Sequence, residues 1–105
     1  MKFRRVSLSI AIALAATAQA HSVWAAPSAS EQTCRACHDM NSKKVGPSFR
    51  EIAASYRNDP DALAKIRKSI LQGSTGKWGN IPMPANAIPD DEAERFAHWV
   101  MSLNK

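Results

Sequence analysis

Two cysteines and a histidine carry the most specific chemistry in this chain. They stand together in Cys34-Arg35-Ala36-Cys37-His38, and the 105 residues hold no other cysteine. Cys-x-x-Cys-His is the spacing of c-type haem attachment. Residues three and four apart share one face of a helix. On a helix, Cys34 and Cys37 can both reach the vinyl groups on one edge of a porphyrin and form two thioethers. His38, on the same face, then presents an imidazole nitrogen to the iron as proximal ligand. By itself the pentapeptide also suits a thiol–disulfide pair or half of a zinc site. A bridge between Cys34 and Cys37 would close a very short loop and stabilise little.

A six-coordinate electron-transfer haem needs a second ligand on its far face. The candidates are Met40, Met83, Met101, His21 and His98. Met40 lies two residues past His38 and cannot reach around a porphyrin. Met101 falls on an apolar helical stripe, where packing is its natural role. His98 lies between the polar positions Glu94 and Ser102, a surface setting, and His21 sits where a leader would be cut. Met83 stands between Pro82 and Pro84. Proline fixes its own φ and pushes the residue before it toward extended geometry. The backbone of Met83 is therefore held rigid, which suits a weak thioether ligand.

The elements that must position these residues begin after a leader. Met1-Lys2-Phe3-Arg4-Arg5 is charged, residues 6–18 are largely apolar, and Ala18-Gln19-Ala20 has the small-x-small form of a cleavage site. Val23-Trp24-Ala25 offers a second site. Residues 1–25 thus read as a signal peptide cleaved after Ala20 or Ala25, with residues 26–105 as one domain. The apolar run falls short of the ~20 residues that span a bilayer, so export with release is expected. So small a domain supplies only about 3–5 kcal/mol from its core and needs a staple. A buried haem is a better one than a single disulfide.

The formal charge of +5 belongs to the whole sequence. Without Lys2, Arg4 and Arg5, eleven of the fourteen Lys and Arg face nine Asp and Glu, a balance of +2. Two haem propionates would bring it near zero. Charge gives no case for nucleic-acid binding.

The remaining pattern is helical throughout. Residues 27–39 read as a short helix bearing the attachment site, followed by a loop at 41–46 with Lys43 and Lys44 on its surface. Pro47 is expected to open a second helix, in which Phe49, Ile52, Ala53 and Tyr56 form one buried face. Asp59 is expected to cap the third helix, with Pro60 at its first position and Leu63, Ile66 and Ile70 facing inward. Residues 72–89 hold three of the four glycines and three prolines and show no period. Such a stretch in a small domain points to function, and wrapping a cofactor is one. Residues 90–103 form the last helix. Asp90, Asp91 and Glu92 suit its dipole, and Phe96, Ala97, Val100 and Met101 face inward beside Trp99 and Leu103.

Taken together, Cys34 to His38, Val45-Gly46-Pro47, Gly76-Lys77-Trp78-Gly79, the 81–86 segment and the helix from Asp90-Asp91-Glu92-Ala93 to Trp99-Val100 occur in the order seen in small bacterial class I cytochromes c. The resemblance covers nearly all of residues 26–105 and is specific because the motifs match jointly. It implies an all-α cytochrome c fold, about four helices around one covalent haem c. By that resemblance Cys34 and Cys37 are the thioether attachments, and His38 and Met83 are the axial iron ligands. Pro47 is the carbonyl that receives the other N–H of His38. Trp78 donates to a propionate, and Asn86 lies near the Met sulfur.

Two departures stand out. Ser69 occupies the position of a propionate-pairing Arg, leaving Arg67, Lys68 or Lys77 as substitutes. No large apolar residue in 28–33 is available to pack on Trp99, unless Trp24 serves.

The function implied is that of a monomeric, periplasmic, mono-haem carrier of single electrons in a respiratory chain, not an enzyme. Its partners would be a membrane quinol-oxidising complex as donor and a terminal oxidase, nitrite reductase or peroxidase as acceptor. Docking is expected at the haem edge near Cys34, Cys37 and residues 81–85, with Lys43, Lys44 and Lys77 steering acidic partners. A haem enzyme or sensor would need an open distal site, against which Met83 argues. A thiol–disulfide oxidoreductase would leave His38, Met83 and the irregular segment unexplained, and it usually comes with a βαβ context.

Overall fold

The computed structural model describes residues 28–105. The leader, its cleavage after Ala20 or Ala25, His21 and Trp24 lie outside the described residues. Among the described residues there are four helices: α1 (Ala29–Arg35), α2 (Phe49–Ser55), α3 (Ala62–Gln72) and α4 (Asp90–Ser102). Among the described residues there is no strand, only an isolated antiparallel bridge between Ser74 and Met83.

Helix α1 is shorter than the expected 27–39. Ser28 caps it by accepting from the Glu31 N–H at 3.1 Å. The helix ends before Cys37, where the chain tightens. The Cys34 carbonyl accepts from both the Cys37 N–H at 3.2 Å and the His38 N–H at 3.0 Å. Cys37 and His38 thus leave the helix proper but stay tethered to its last turn.

Helix α2 does not open at Pro47. Ser48 is the N-cap and completes a capping box with Glu51: its hydroxyl accepts from the Glu51 N–H at 3.1 Å, and the Glu51 carboxylate accepts from the Ser48 N–H at 2.8 Å. Pro47 stands one residue earlier and aims the entering chain. The next two donors of α2 are also satisfied. Phe49 N–H donates to the Asp39 carbonyl at 2.9 Å and Arg50 N–H to the Met40 carbonyl at 3.2 Å. The orphan groups of a helix start are thereby used to clamp the segment that follows His38.

Helix α3 starts two residues later than Asp59 and Pro60 suggest. The Asp59 carboxylate accepts from the Asp61 N–H at 2.8 Å and from Lys65 Nζ at 2.7 Å. It organises a turn ahead of the helix rather than capping it, and Asp61 takes the cap position. Helix α4 has the expected bounds to within one residue, with its three acidic residues in the first turn.

The largest interface is α3 on α4, then α2 on α4. Ala93 and Ala97, both at 0% exposure, form the small face that lets α4 approach its neighbours. Phe49, Ala53, Tyr56, Ala62, Ile66, Ile70, Phe96 and Val100 complete the core among the described residues. Ile52, Leu63 and Met101 only border it, half-buried. The expected thinness of α1 is visible as a cavity of about 170 Å³ between Glu31 and Arg35 on one side and Phe96 and Trp99 on the other. Trp99 packs edge-on against Phe49, centroids 5.0 Å apart.

Replacing Ser48 by Ala is expected to cost about 1 kcal/mol of unfolding free energy, measured by denaturant titration. The Ser48 N–H, and then its hydroxyl, hold the Glu51 carboxyl below the ordinary carboxylate range. A folded-state pKa depressed in this way adds stability above the unfolded-state value, and that stability is lost as pH falls through the folded one. Stability should therefore decline below about pH 4.5, and Glu51→Gln should show a shallower acid decline.

Candidate functional site

A cavity of about 400 Å³ lies where the helices diverge, closed on one side by the irregular segment after α3. Cys34, Cys37 and His38 form one wall. Ile52, Tyr56, Ile66, Ile70, Phe96 and Val100 line its depth. The stripes that periodicity marks as core are therefore partly the lining of a binding site. Trp78, Ile81, Met83 and Asn86 face them from the irregular segment.

The histidine is tightly held. His38 is 7% exposed, and its Nδ1 lies 2.7 Å from the Pro47 carbonyl oxygen. A carbonyl can only accept, so Nδ1 carries a proton, and in the neutral imidazole Nε2 is then the nitrogen with the lone pair. The Phe49 ring lies 5.4 Å away, centroid to centroid. Gly46 presses on the imidazole. A Cβ there would lie 2.5 Å from Cε1 and 2.9 Å from Nδ1 of His38, so only glycine fits without displacing the ring. The loop is closed by Gly46 N–H donating to the Cys37 carbonyl at 2.8 Å.

The facing segment is held by fewer bonds. Met83 exchanges two backbone bonds with Ser74, at 2.8 and 3.0 Å. Gly73 ends α3 at φ 80, and a Cβ there would meet the Met83 carbonyl oxygen at 2.6 Å. Asn86 donates through Nδ2 to the Ile70 carbonyl at 3.0 Å and the Pro84 carbonyl at 3.3 Å. Its backbone N–H also reaches Ile70, at 3.0 Å. In this structure its amide fastens the Met83 segment to α3. Trp78 stands exposed at the rim.

The other candidate ligands fall elsewhere. Met40 and Met101 pack at the edge of the core rather than lining the cavity. His98 is on the surface, with Nε2 3.4 Å from Glu94. Burial pushes the Cys34 thiol's pKa up, the reverse of what a reactive thiolate requires. Among the described residues, no three His, Cys, Asp or Glu side chains cluster to hold a bare metal ion. An imidazole with a free lone pair, a thioether and two thiols around an apolar slot suit a flat iron macrocycle.

Sequence reasoning passed over Gly46, Gly73 and Ser48 as site-building residues. Ser48-Phe49-Arg50-Glu51 carries a readable capping signal. Nothing local shows that Gly46 meets an imidazole.

Residues 25–104 match the family model described as Cytochrome c. The chain is 46% identical over 72 residues to cytochrome c-551 of Pseudomonas denitrificans, covering 69% of this chain and 88% of that one. It is 39% identical over 75 residues to cytochrome c-552 of Hydrogenobacter thermophilus, covering 71% and 76%. Among solved structures, wild-type Nitrosomonas europaea cytochrome c552 superposes with a TM-score of 0.68 at 40% identity, covering 70% of this chain and 93% of that one. The chain belongs to the cytochrome c family: it is a small electron-transfer protein whose cofactor is covalently attached haem c.

Proposed function

We propose that the chain is an exported periplasmic carrier of single electrons between respiratory partners, with His38 and Met83 as the axial ligands of its haem iron. Cys34 and Cys37 would then hold the haem covalently through thioethers. The observation that carries this reading is the cavity itself. His38, its Nδ1 engaged and its Nε2 free, lines one apolar slot together with Met83. Bound haem supplies reversible one-electron chemistry at iron.

The protein's own residues tune and guard that chemistry. The Pro47 carbonyl orients the imidazole and makes it a stronger donor. Gly46 and Phe49 keep the ring from turning. The Ser74 bridge and the flanking prolines hold Met83 in place, and histidine–methionine ligation favours a high potential. Ile66, Ile70, Phe96 and Val100 exclude water. Trp78 is offered as a propionate donor, and Asn86 keeps the methionine segment seated.

Val45, Trp78 and Ile81 are exposed although they line the cavity. An apolar rim of this kind suits brief contact with redox partners through a small interface. The donor would be a membrane quinol-oxidising complex, and the acceptor a terminal oxidase, nitrite reductase or peroxidase. Lys43 and Lys44 are exposed on the loop beside this rim. The sequence start fits a signal peptide, and no described helix is long and apolar enough to cross a membrane.

Three outcomes test the reading. Met83→Ala should abolish the far-red sulfur-to-iron band of the oxidised holoprotein, and Met101→Ala should retain it. The reverse pattern would reassign the ligand. Gly46→Ala should destabilise the holoprotein by about 1–3 kcal/mol, read by thermal melting, because the imidazole must shift. Lys43→Glu with Lys44→Glu should slow association with an acidic partner at low salt several-fold, and the difference should vanish at high salt.

A further inference from the structure

A haem carries two propionates on an otherwise apolar disc. A carboxylate set against protein needs a cation or donors to replace its water. Only two cationic side chains line the cavity among the described residues, Lys43 and Lys77. Arg67 is already held by Asp90 at 2.9 Å and Glu94 at 3.5 Å. Lys65 is held by Asp59 at 2.7 Å. Lys68 is exposed and lies off the cavity wall, and Ser69, which lies on it, has no charge. Lys43 is exposed on the 41–46 loop and makes no cation–π contact with the cavity wall among the described residues.

Lys77 differs from all of these. An exposed lysine usually extends its ammonium into water. The Lys77 ammonium instead turns inward and lies 3.4 Å from the centroid of the buried Tyr56 ring, on the cavity wall. It is also 5.9 Å from the centroid of Trp78. Among the described residues it makes no ion pair. Asp59, whose carboxylate feels its charge, is already bonded to Lys65. An ammonium and an indole N–H, both donors only, therefore belong to adjacent residues of the cavity lining.

We propose that Lys77 pairs with a haem propionate in this chain, supplying beside Trp78 the positive charge that Ser69 lacks. This rests on the haem reading above. It also removes Lys77 from the lysines that steer partners, since its charge is turned into the site.

The test uses haem-loaded protein and two readouts, the resonance Raman propionate-bending band and the ferrous–ferric equilibrium. Lys77→Met should shift the propionate band. It should also move the equilibrium toward ferric iron by roughly threefold at low salt, because a cation near the iron favours the ferrous form. Lys77→Arg should restore both. Lys43→Met and Lys68→Met should leave the propionate band in place. An unmoved band in Lys77→Met overturns the proposal, and a shift in Lys43→Met alone transfers the role to Lys43. Wild-type protein that takes up no haem would sink the haem reading itself, a result distinct from either.

Discussion

The hydrogen bond from His38 Nδ1 to the Pro47 carbonyl, 2.7 Å long, is the constraint on which the site depends. It sets the tautomer and the ring orientation together, and so decides which nitrogen is free to bind iron. The acceptor could not serve if its own position drifted. Pro47 has a restricted φ and is followed at once by the Ser48–Glu51 capping box. The first donors of α2 reach back to the carbonyls of Asp39 and Met40. Gly46 fills the remaining space with the one residue that has no side chain to collide with the imidazole. Residues 37–51 thus form one unit in which each contact fixes another.

The opposite wall is built differently. The segment after α3 is not itself helical. Its shape comes from three prolines, the close approach of Gly73 to Met83, the Ser74 bridge and the bonds from Asn86 to Ile70. The histidine side is built around a capped helix start, and the methionine side around backbone bonds and prolines. Ile66, Ile70, Phe96 and Val100 belong to the core and also line the cavity, so a bound haem would pack directly on the core. Haem therefore acts as core as well as reagent, in the sense that any ligand bound only to the folded state stabilises it.

Much of this was legible in the sequence. Cys34, Cys37 and His38 mark covalent haem by their spacing, and the two prolines single out Met83, which lines the same cavity. Helix α4 was readable because its acidic first turn and apolar stripe agree. The start of α2 is placed at Pro47 by the sequence although Ser48 is the cap, and that of α3 at Asp59 and Pro60 although Asp59 organises a turn and Asp61 takes the cap. The end of α1 was misplaced because the tightened turn after Cys34 leaves no mark in residue type. A 3.6-residue period cannot tell a core face from a cavity wall, so Ile66 and Phe96 read simply as core. Contacts between Gly46 and His38, or Lys77 and Tyr56, join residues that no local pattern relates.

A crystal structure of the haem-loaded protein would test the ligand assignment most directly, with the iron located by its anomalous signal. His38 Nε2 and Met83 sulfur are expected on opposite faces of the iron, with the Pro47 carbonyl still on Nδ1. Another sixth ligand, an open iron face, or a His38 ring turned away from Pro47 would contradict it.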